Sequence, residues 1–271
     1  MDSKTKVAVL GGGNIGLAIV NGLINNNIFQ ANNIFITRKQ LQYIKEYEKK
    51  GCHITDNNKK AVSNSDLIII AVQPLQLNSL LVEIIPELDT KRHILISVVS
   101  GAGIKAIKDI VGEGINVVRT MPNTAIAIGE SMTCLSASEK TDHSLDVAKK
   151  IFDAVGKTLV IDESLMVPAT ALCACGIAFF LRAVRAASQG GIEIGFHSEE
   201  ALLMAAQTAK GAASLLVDKE NHPESEVDKV TTPRGCTITG LNQMEHNGFS
   251  SAMIKGIIIS AEKASKLYSA D

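Results

Sequence analysis

Short apolar runs alternate with polar, helix-prone segments along the first half of the chain. Seven of these runs are predicted to be strands, at 7–10, 33–37, 66–72, 93–99, 115–119, 131–135 and 157–161. Strands that are apolar on both faces are typical of a parallel sheet covered by helices. Helical patterns lie between them at 14–23, 39–50, 75–88, 104–111 and 145–154. The sequence therefore predicts an α/β fold with a doubly wound sheet.

The second half of the chain shows no strand pattern and is predicted to be all-helical. A polar stretch at 218–225 is expected to interrupt the helices. The expected helices are a long Ala-rich one at 163–194, one at 198–217 capped by Ser198, a short one ending near 246, and a last one from 250 with an apolar stripe. We therefore predict two domains, an α/β domain at 1–162 and an all-helical domain at 163–271.

The long helix predicted at 163–194 is apolar around nearly its whole circumference. Such a helix must be buried on nearly all sides, and a helical domain of this size can hardly surround it alone. We expect a homodimer or higher oligomer that buries this helix, the alternative being burial by neighbouring helices of the same chain. Its uncharged run at 165–181 is slightly short for a membrane span and contains Pro168 and Thr170, so no membrane span is predicted.

Composition narrows the class of protein. The 27 Lys and Arg residues nearly balance the 28 Asp and Glu residues, which argues against a nucleic-acid or anionic-membrane binder. The five cysteines and six histidines show no zinc-site spacing, so no metal is expected and the thiols are expected to be reduced. The sequence begins without a signal-peptide pattern, and we expect a cytoplasmic location.

Gly11, Gly13 and Gly16 form a G-x-G-x-x-G motif between the first predicted strand and the first predicted helix. In that context the motif is typical of a Rossmann-type dinucleotide-binding domain. Gly11 would allow the tight turn, Gly13 the close approach of a pyrophosphate, and Gly16 the close packing of helix on strand. Asn14 and Ile15 lie at the helix start, where free amides bind phosphate. A purely structural turn is the alternative.

The end of the second predicted strand indicates which dinucleotide is bound. NAD enzymes usually have an acidic residue there, which bonds the ribose 2′-hydroxyl. This chain has Thr37, Arg38 and Lys39 instead, a hydroxyl and two cations that suit a 2′-phosphate. We therefore predict NADPH as the cofactor, with NADH as the weaker one. The alternative is that the two cations only begin a solvated helix.

Three further segments, at 71–74, 119–124 and 230–241, narrow the function. Together with the glycine loop they resemble the pyrroline-5-carboxylate reductase family, and the resemblance covers essentially the whole chain. The segment Thr-Pro-x-Gly-x-Thr-Ile-x-Gly-Leu is that family's signature, and its inner Thr is matched by Thr237.

The resemblance implies reduction of the C=N bond of Δ1-pyrroline-5-carboxylate by NAD(P)H to L-proline, the last step of proline biosynthesis. It implies dimers formed through the helical domains. It also implies an active site between the Rossmann domain of one subunit and the helical domains of the dimer. Beyond the residues already named, the expected cofactor contacts come from Asn58, Ala71, Val72, Pro74 and Asn123.

The signature segment suits a substrate with a carboxylate beside a cyclic imine. A turn leading into a helix would leave the amides of Gly235, Cys236 and Thr237 free to bind the carboxylate, and the Thr232 hydroxyl adds one donor. The Thr237 hydroxyl is expected to hydrogen-bond the ring nitrogen and to help protonate it as the catalytic residue. Helix capping by Thr237 is the alternative.

Two positions depart from the usual family pattern. Arg234 stands where many members have glycine, and it either adds to carboxylate binding or points to solvent. The segment 173–179 reads Cys-Ala-Cys-Gly-Ile-Ala-Phe where many members read Ser-Gly-Ser-Gly-Pro-Ala-Tyr, which removes polar groups near the expected site. Cys173 and Cys175 are either redox-active or inert packing.

Two other functions stay open at this point. One is an NADPH-dependent reductase of a related cyclic imine or keto acid, although the long helix offers no Lys of the kind that hydroxyacid enzymes of this broader fold carry. The other is a non-catalytic, reductase-like dinucleotide sensor. The intact glycine loop and Thr237 argue against the sensor.

Overall fold

The computed structural model describes residues 4–138, 143–219 and 222–268. The chain divides into two compact units, residues 1–175 together with 260–271, and residues 176–259. The domain boundary placed between residues 162 and 163 stays a prediction.

The first unit is built on an eight-stranded sheet with the strand order β3-β2-β1-β4-β5-β6-β7-β8. The pairing of β6 with β7 is antiparallel, and the other neighbouring pairs are parallel. The strands are β1 (Val7–Leu10), β2 (Ile34–Thr37), β3 (His53–Thr55), β4 (Leu67–Ile70), β5 (Ile94–Ser97), β6 (Asn116–Met121), β7 (Ser131–Ala137) and β8 (Gly156–Val160). Seven of them were predicted, and β3 was not.

Helices cover both faces of this sheet, as the apolar strands require. Successive residues of β1 belong to different apolar clusters, because side chains alternate between the faces of a strand. Val7 and Val9 belong to a cluster with the helices at 14–25 and 143–153, whereas Ala8 and Leu10 belong to one with the helices at 58–63, 77–84 and 104–111. The helices of this unit are α1 (Asn14–Asn25), α2 (Lys45–Lys49), α3 (Asn58–Ser63), α4 (Leu77–Ile84), α5 (Ile104–Val111), α6 (His143–Asp153) and α7 (Met166–Ala169). The predicted doubly wound α/β fold is confirmed.

The helix predicted at 39–50 is wrong in its extent. The structure has a short 3-10 turn at Leu41–Tyr43 and then the five-residue α2. Lys39 and Gln40 are therefore exposed residues of a loop that follows β2.

The long helix predicted at 163–194 is continuous but not uniform. A 3-10 turn at Glu163–Leu165 leads into α7, six residues of π-helix follow at Thr170–Cys175, and then comes α8 (Gly176–Glu193). The Thr170 hydroxyl donates to the carbonyl oxygen of Met166 at 2.8 Å within this stretch. By length and composition, Glu163–Glu193 could cross a membrane, and 22% of its most apolar window is buried within the single chain.

The remaining helices are α9 (Ser198–Lys219), α10 (Pro223–Val230), α11 (Cys236–His246) and α12 (Phe249–Ala264). Most of this sequence forms the second unit. The expected interruption at 218–225 is too long, because α10 already begins at Pro223. The sequence of α10 is polar, and the helix begins at Pro223 because proline is favourable at the first position of a helix.

The last described residues return to the first unit. The Tyr268 hydroxyl donates to the side-chain oxygen of Asn78 at 2.9 Å. Gly101, whose φ of 86° is a left-handed conformation, lies against Tyr268, where an added Cβ would be 3.0 Å from the Tyr268 Cβ. A side chain at residue 101 would therefore disturb this contact.

Candidate active site

The glycine loop after β1 is packed tightly on one side and open on the other. A Cβ on Gly11 would lie 2.5 Å from the carbonyl oxygen of Ala71, and Gly11 has a φ of 110°. A Cβ on Gly16 would lie 2.1 Å from the carbonyl oxygen of Gly11. At Gly13 no atom lies within 4 Å of the added Cβ. The loop thus leaves free space at the position where a pyrophosphate is expected.

The first turn of α1 begins directly after Gly13, and no side chain caps its amides. Gly13 is the N-cap residue and has no side chain to bond them. Asn14 is exposed, Ile15 is half-buried and Gly16 is buried. Amides left free at a helix N-terminus attract an anionic group.

A cleft of about 660 Å³ opens above this loop, at the point where the strand order reverses between β1 and β4. Ligands of doubly wound sheets bind at such a switch point. The predicted cofactor residues that line the cleft are Gly11, Gly13, Thr37, Arg38, Lys39, Asn58, Ala71 and Val72. The other predicted cofactor residues are not among the lining residues: Asn14, Ile15, Gly16, Pro74 and Asn123.

Arg38 is held in place by two contacts. Its Nη1 donates to the carbonyl oxygen of Gly12 at 2.6 Å, and its guanidinium lies 4.6 Å from the centre of the Tyr43 ring. Thr37 is 2% exposed, and its hydroxyl accepts from the Gly11 amide at 3.3 Å. Two cations, the restrained Arg38 and the exposed Lys39, therefore border the cleft.

In the cleft the predicted Asn58 lies beside residues that carried no sequence signal. Asn58, which begins α3, donates through its Nδ2 to the Glu83 carboxylate at 3.0 Å. Glu83, Gln76 and Ser79 line the cleft from α4 and the turn before it. They carry no motif, and only the packing of α4 beside α3 brings them to the cleft. Tyr43 was likewise missed, since it lies in a stretch predicted to be a helix.

Asn123 lies two residues after β6, and its own hydrogen bonds fix its position. Its Nδ2 donates to the carbonyl oxygen of Cys173 at 3.2 Å, and its Oδ1 accepts from the Ala125 amide at 3.0 Å. Its backbone amide donates to the Ser131 hydroxyl at 3.1 Å. The side chain thus joins the sheet to the π-helical segment, and its predicted contact with a cofactor stays a prediction.

Arg119 is a buried cation close to the same segment. It is 3% exposed, and its Nη1 lies 3.4 Å from Glu163 Oε1, which also accepts from the Ile104 amide at 2.5 Å. Burial lowers the pKa of Arg119, and the Glu163 carboxylate opposes that shift. In the described chain its Nε and Nη2 have no hydrogen-bond partner. Glu163 thus connects the segment after β8 both to Arg119 on β6 and to the first residue of α5.

The signature segment lies in the second unit and forms the predicted turn into a helix. Gly235 is the N-cap of α11, and its amide donates to the carbonyl oxygen of Thr232 at 2.9 Å. A Cβ on Gly235 would lie 2.5 Å from the Thr232 hydroxyl oxygen, so a side chain here would displace that hydroxyl. Arg234 has a φ of 60°, the left-handed conformation that favours glycine. Arginine therefore holds a backbone shape that costs free energy.

Cys236 and Thr237 are the first two residues of α11, and both are exposed. With Gly235 as the N-cap, the structure gives Thr237 no capping hydrogen bond. Within the described residues its hydroxyl makes no hydrogen bond, so it is available to a ligand. The arrangement can present backbone amides and one hydroxyl to an anion with an adjacent acceptor.

Comparison with known proteins agrees with both halves of this description. Residues 163–267 match the family model described as pyrroline-5-carboxylate reductase dimerisation, and residues 6–101 match the model described as NADP oxidoreductase, coenzyme F420-dependent. The dimerisation model supports self-association of this chain.

Curated relatives extend the match to nearly the whole sequence. Pyrroline-5-carboxylate reductase 2 of Dictyostelium discoideum is 46% identical over 98% of this chain and 94% of its own length. Pyrroline-5-carboxylate reductase 1 of that organism is 54% identical over 97% of this chain, which spans 50% of that relative's length.

The fold leads to the same family. The crystal structure of Plasmodium falciparum pyrroline carboxylate reductase with NADP bound is similar, with a TM-score of 0.89 and 25% identity over 98% of this chain and 99% of that chain. Sequence, domain order and fold thus agree, and the chain belongs to the pyrroline-5-carboxylate reductase family.

Proposed function

We propose that this chain uses NADPH to reduce the C=N bond of Δ1-pyrroline-5-carboxylate to L-proline, the last step of proline biosynthesis. The observation that carries the proposal is the exposed Thr237 hydroxyl at the start of α11, directly after the turn that the Gly235 amide closes on the Thr232 carbonyl oxygen. This is the family's signature segment, and it stands in a chain whose other unit has a dinucleotide cleft.

The cleft of the first unit fits a phosphorylated dinucleotide. The open space at Gly13 and the first-turn amides of α1 would hold the pyrophosphate. Arg38 and Lys39 would hold a 2′-phosphate, Arg38 through the N–H groups that its bond to Gly12 leaves free. No carboxylate stands at the end of β2 to bond a ribose 2′-hydroxyl, which favours NADPH over NADH.

The signature segment would orient the substrate. The backbone amides of Cys236 and Thr237 would bind its carboxylate, with the Thr232 hydroxyl as a further donor. The Gly235 amide, which was also expected to bind it, instead donates to the Thr232 carbonyl oxygen within the turn. The bound dihydronicotinamide supplies a hydride to the imine carbon. The Thr237 hydroxyl would donate to the ring nitrogen and help protonate it, so that the nitrogen does not carry a full negative charge.

One kinetic experiment separates this proposal from its two alternatives. NADPH oxidation is followed by absorbance with Δ1-pyrroline-5-carboxylate, with the six-membered cyclic imine homologue, and with a set of 2-keto acids. The proposal expects the highest kcat/KM for the five-membered imine, by roughly tenfold or more over the homologue. A preference for another substrate favours a related reductase. Tight NADPH binding by calorimetry without turnover of any substrate favours the sensor.

We further propose a homodimer formed through the helical unit. Large apolar side chains are exposed on the single chain, with Phe180 and Leu181 of α8 at 62%, Leu203 of α9 at 71% and Ile259 of α12 at 61%. An apolar surface of this kind marks an interface. Light scattering should give a dimer. Leu203→Glu in α9 should give a monomeric or insoluble protein, because a carboxylate buried in an apolar interface costs several kcal/mol, whereas Lys91→Glu in the first unit should stay dimeric.

A cytoplasmic location is part of the proposal. The described cysteines are free, including Cys134 and Cys173, whose sulfurs are in contact. In a reducing compartment both thiols would stay in the free form.

A further inference from the structure

Two cysteines that are far apart in sequence meet in the first unit. Cys134 lies on β7 and Cys173 lies in the π-helical segment, and their Sγ atoms are 4.0 Å apart. Cys134 is 3% exposed, whereas Cys173 is half-buried and accessible from solvent. The mechanism of reduction uses neither thiol.

The contact gives the two thiols different pKa values. A hydrogen bond from the Cys134 thiol lowers the pKa of Cys173 to about 7. The same hydrogen bond, together with burial, raises the pKa of Cys134. Burial also raises the pKa of Cys175 and brings that of Cys52 to about 11. Cys173 is therefore the nucleophile of the pair, and Cys134 keeps its proton.

The backbone around Cys173 can move when its sulfur forms a new bond. A disulfide requires the sulfurs to approach to about 2 Å, so one of the two must move. Cys134 is held by the sheet, through the pairing of β7 with β6 and β8. Cys173 lies in a π-helical turn, where i→i+5 hydrogen bonds leave a wider and less regular backbone than an α-helix has. We therefore expect Cys173 to move when the disulfide forms, while Cys134 stays in place.

We propose that Cys134 and Cys173 form an oxidation site, at which a hydroperoxide converts the two thiols into a reversible disulfide. The Cys173 thiolate attacks one peroxide oxygen, the O–O bond breaks, the other oxygen leaves as an alkoxide or hydroxide that takes up a proton, and a sulfenic acid results. The Cys134 thiol then loses its proton and attacks the oxidised sulfur, the S–O bond breaks, and water leaves. Each step balances, because the peroxide accepts the two electrons that the sulfurs lose. A dithiol reverses the change.

The disulfide should reduce the activity, a consequence that rests on the proposed function. The carbonyl of Cys173 accepts the Asn123 side-chain hydrogen bond at 3.2 Å. Displacing Cys173 therefore disturbs Asn123, a residue expected to contact the cofactor. Oxidation should then change KM for NADPH more than KM for the imine.

The test is oxidation of the full-length protein with a small excess of hydrogen peroxide. Intact mass should fall by the mass of two hydrogens, and peptide mapping should join the peptides that contain Cys134 and Cys173. Activity should fall about fivefold or more and return with dithiothreitol. Oxidation of the exposed Cys236 adds oxygen to the mass instead, so the two reactions are distinguished. A joined peptide without loss of activity would support the disulfide and would contradict its expected effect on activity.

Matched variants complete the experiment. Cys134→Ser and Cys173→Ser should give no joined peptide and should lose less activity in peroxide than the unmodified chain, whereas Cys175→Ser should behave like the unmodified chain. If Cys134→Ser does not fold, Cys173→Ser alone decides the result, because it leaves the buried thiol unchanged. Failure of the unmodified chain to join these two peptides overturns the proposal. The mass measurement does not depend on the substrate, so failure of the proposed function would be recognised separately.

Discussion

The guanidinium of Arg38 donates to the carbonyl oxygen of Gly12 at 2.6 Å. This bond connects the end of β2 to the glycine loop, and the Tyr43 ring centre lies 4.6 Å from the same guanidinium. The cation is therefore oriented by the protein before any ligand arrives. Orientation in advance lowers the entropy cost of binding a phosphate.

Replacing Arg38 by Asp should reverse the cofactor preference. The change removes a phosphate contact and adds a carboxylate that repels phosphate and suits a ribose hydroxyl. Loss of one charge-assisted contact costs about 1.5–3 kcal/mol, so kcat/KM for NADPH should fall roughly 10- to 150-fold relative to NADH. Steady-state kinetics with both cofactors measures this, and Arg38→Lys should lose less. An unchanged ratio would remove Arg38 from the cofactor site.

Two glycines of the same loop should respond differently to alanine. Gly13→Ala meets no protein atom within 4 Å, so the fold should be retained while NADP affinity falls, because the methyl group occupies the pyrophosphate position. Gly16→Ala meets the Gly11 carbonyl oxygen at 2.1 Å and should lose about 1–3 kcal/mol of stability. Thermal unfolding and cofactor titration of both variants separate the effects. Equal melting temperatures would contradict the packing role of Gly16.

The sequence was informative where periodicity or a motif was strong. The glycine loop and the apolar strands from β1 to β8 follow from local pattern, except β3. That strand has three residues, His53–Thr55, and these are largely polar, so only its pairing with β2 makes it a strand. The predicted helix at 39–50 was too long because its polar residues belong to a loop around the cleft.

Contacts between residues that are distant in sequence could not be predicted from the sequence. Cys134 and Cys173 meet only because β7 packs beside the segment that leads into α8, and no local pattern indicates that. The restraint on Arg38 is of the same kind, since Gly12 and Tyr43 approach it from two different loops. The types of side chain at 37–39 predicted the cofactor. Only the structure shows which contacts orient those side chains.

Thr237 variants test the proposed protonation. Thr237→Ala should bind NADPH almost normally and lower kcat/KM for the imine by roughly 10- to 1,000-fold, the range for one donor that strengthens in the transition state. Thr237→Ser keeps the hydroxyl and should recover most of the activity. A capping role predicts a lower melting temperature with near-normal turnover instead. Both quantities should be measured on the same preparation.

Arg234 holds a left-handed backbone conformation, with φ at 60°. Arg234→Gly should relieve about 1 kcal/mol of strain and raise the melting temperature by about 2–4 °C. Arg234→Ala removes the charge but keeps the strain, so it serves as the control. If both variants raise KM for the imine equally, the cation contributes to carboxylate binding. A lower melting temperature for the glycine variant would contradict the strain.

The pH dependence of alkylation tests the ionisation of Cys173. Its pKa of about 7 means that the thiolate fraction, and with it the iodoacetamide rate at this residue, should rise as pH increases through 7 and level off above it. Cys134→Ala removes the hydrogen-bond donor and should move this rise to higher pH. Peptide mass spectrometry follows each cysteine. A rate at Cys173 that rises only near pH 9 would reject the hydrogen bond as its cause.

The return of Tyr268 to the first unit has a consequence for how the chain can be divided. Because residues on both sides of 176–259 belong to the first unit, the helical unit is an insertion, anchored at its entry and at its exit. A truncation that ends after β8 would resemble a separate cofactor-binding domain, yet it would leave Gly101 and Asn78 without their C-terminal cover. A minimal cofactor-binding protein would need the 260–268 segment rejoined by a short linker.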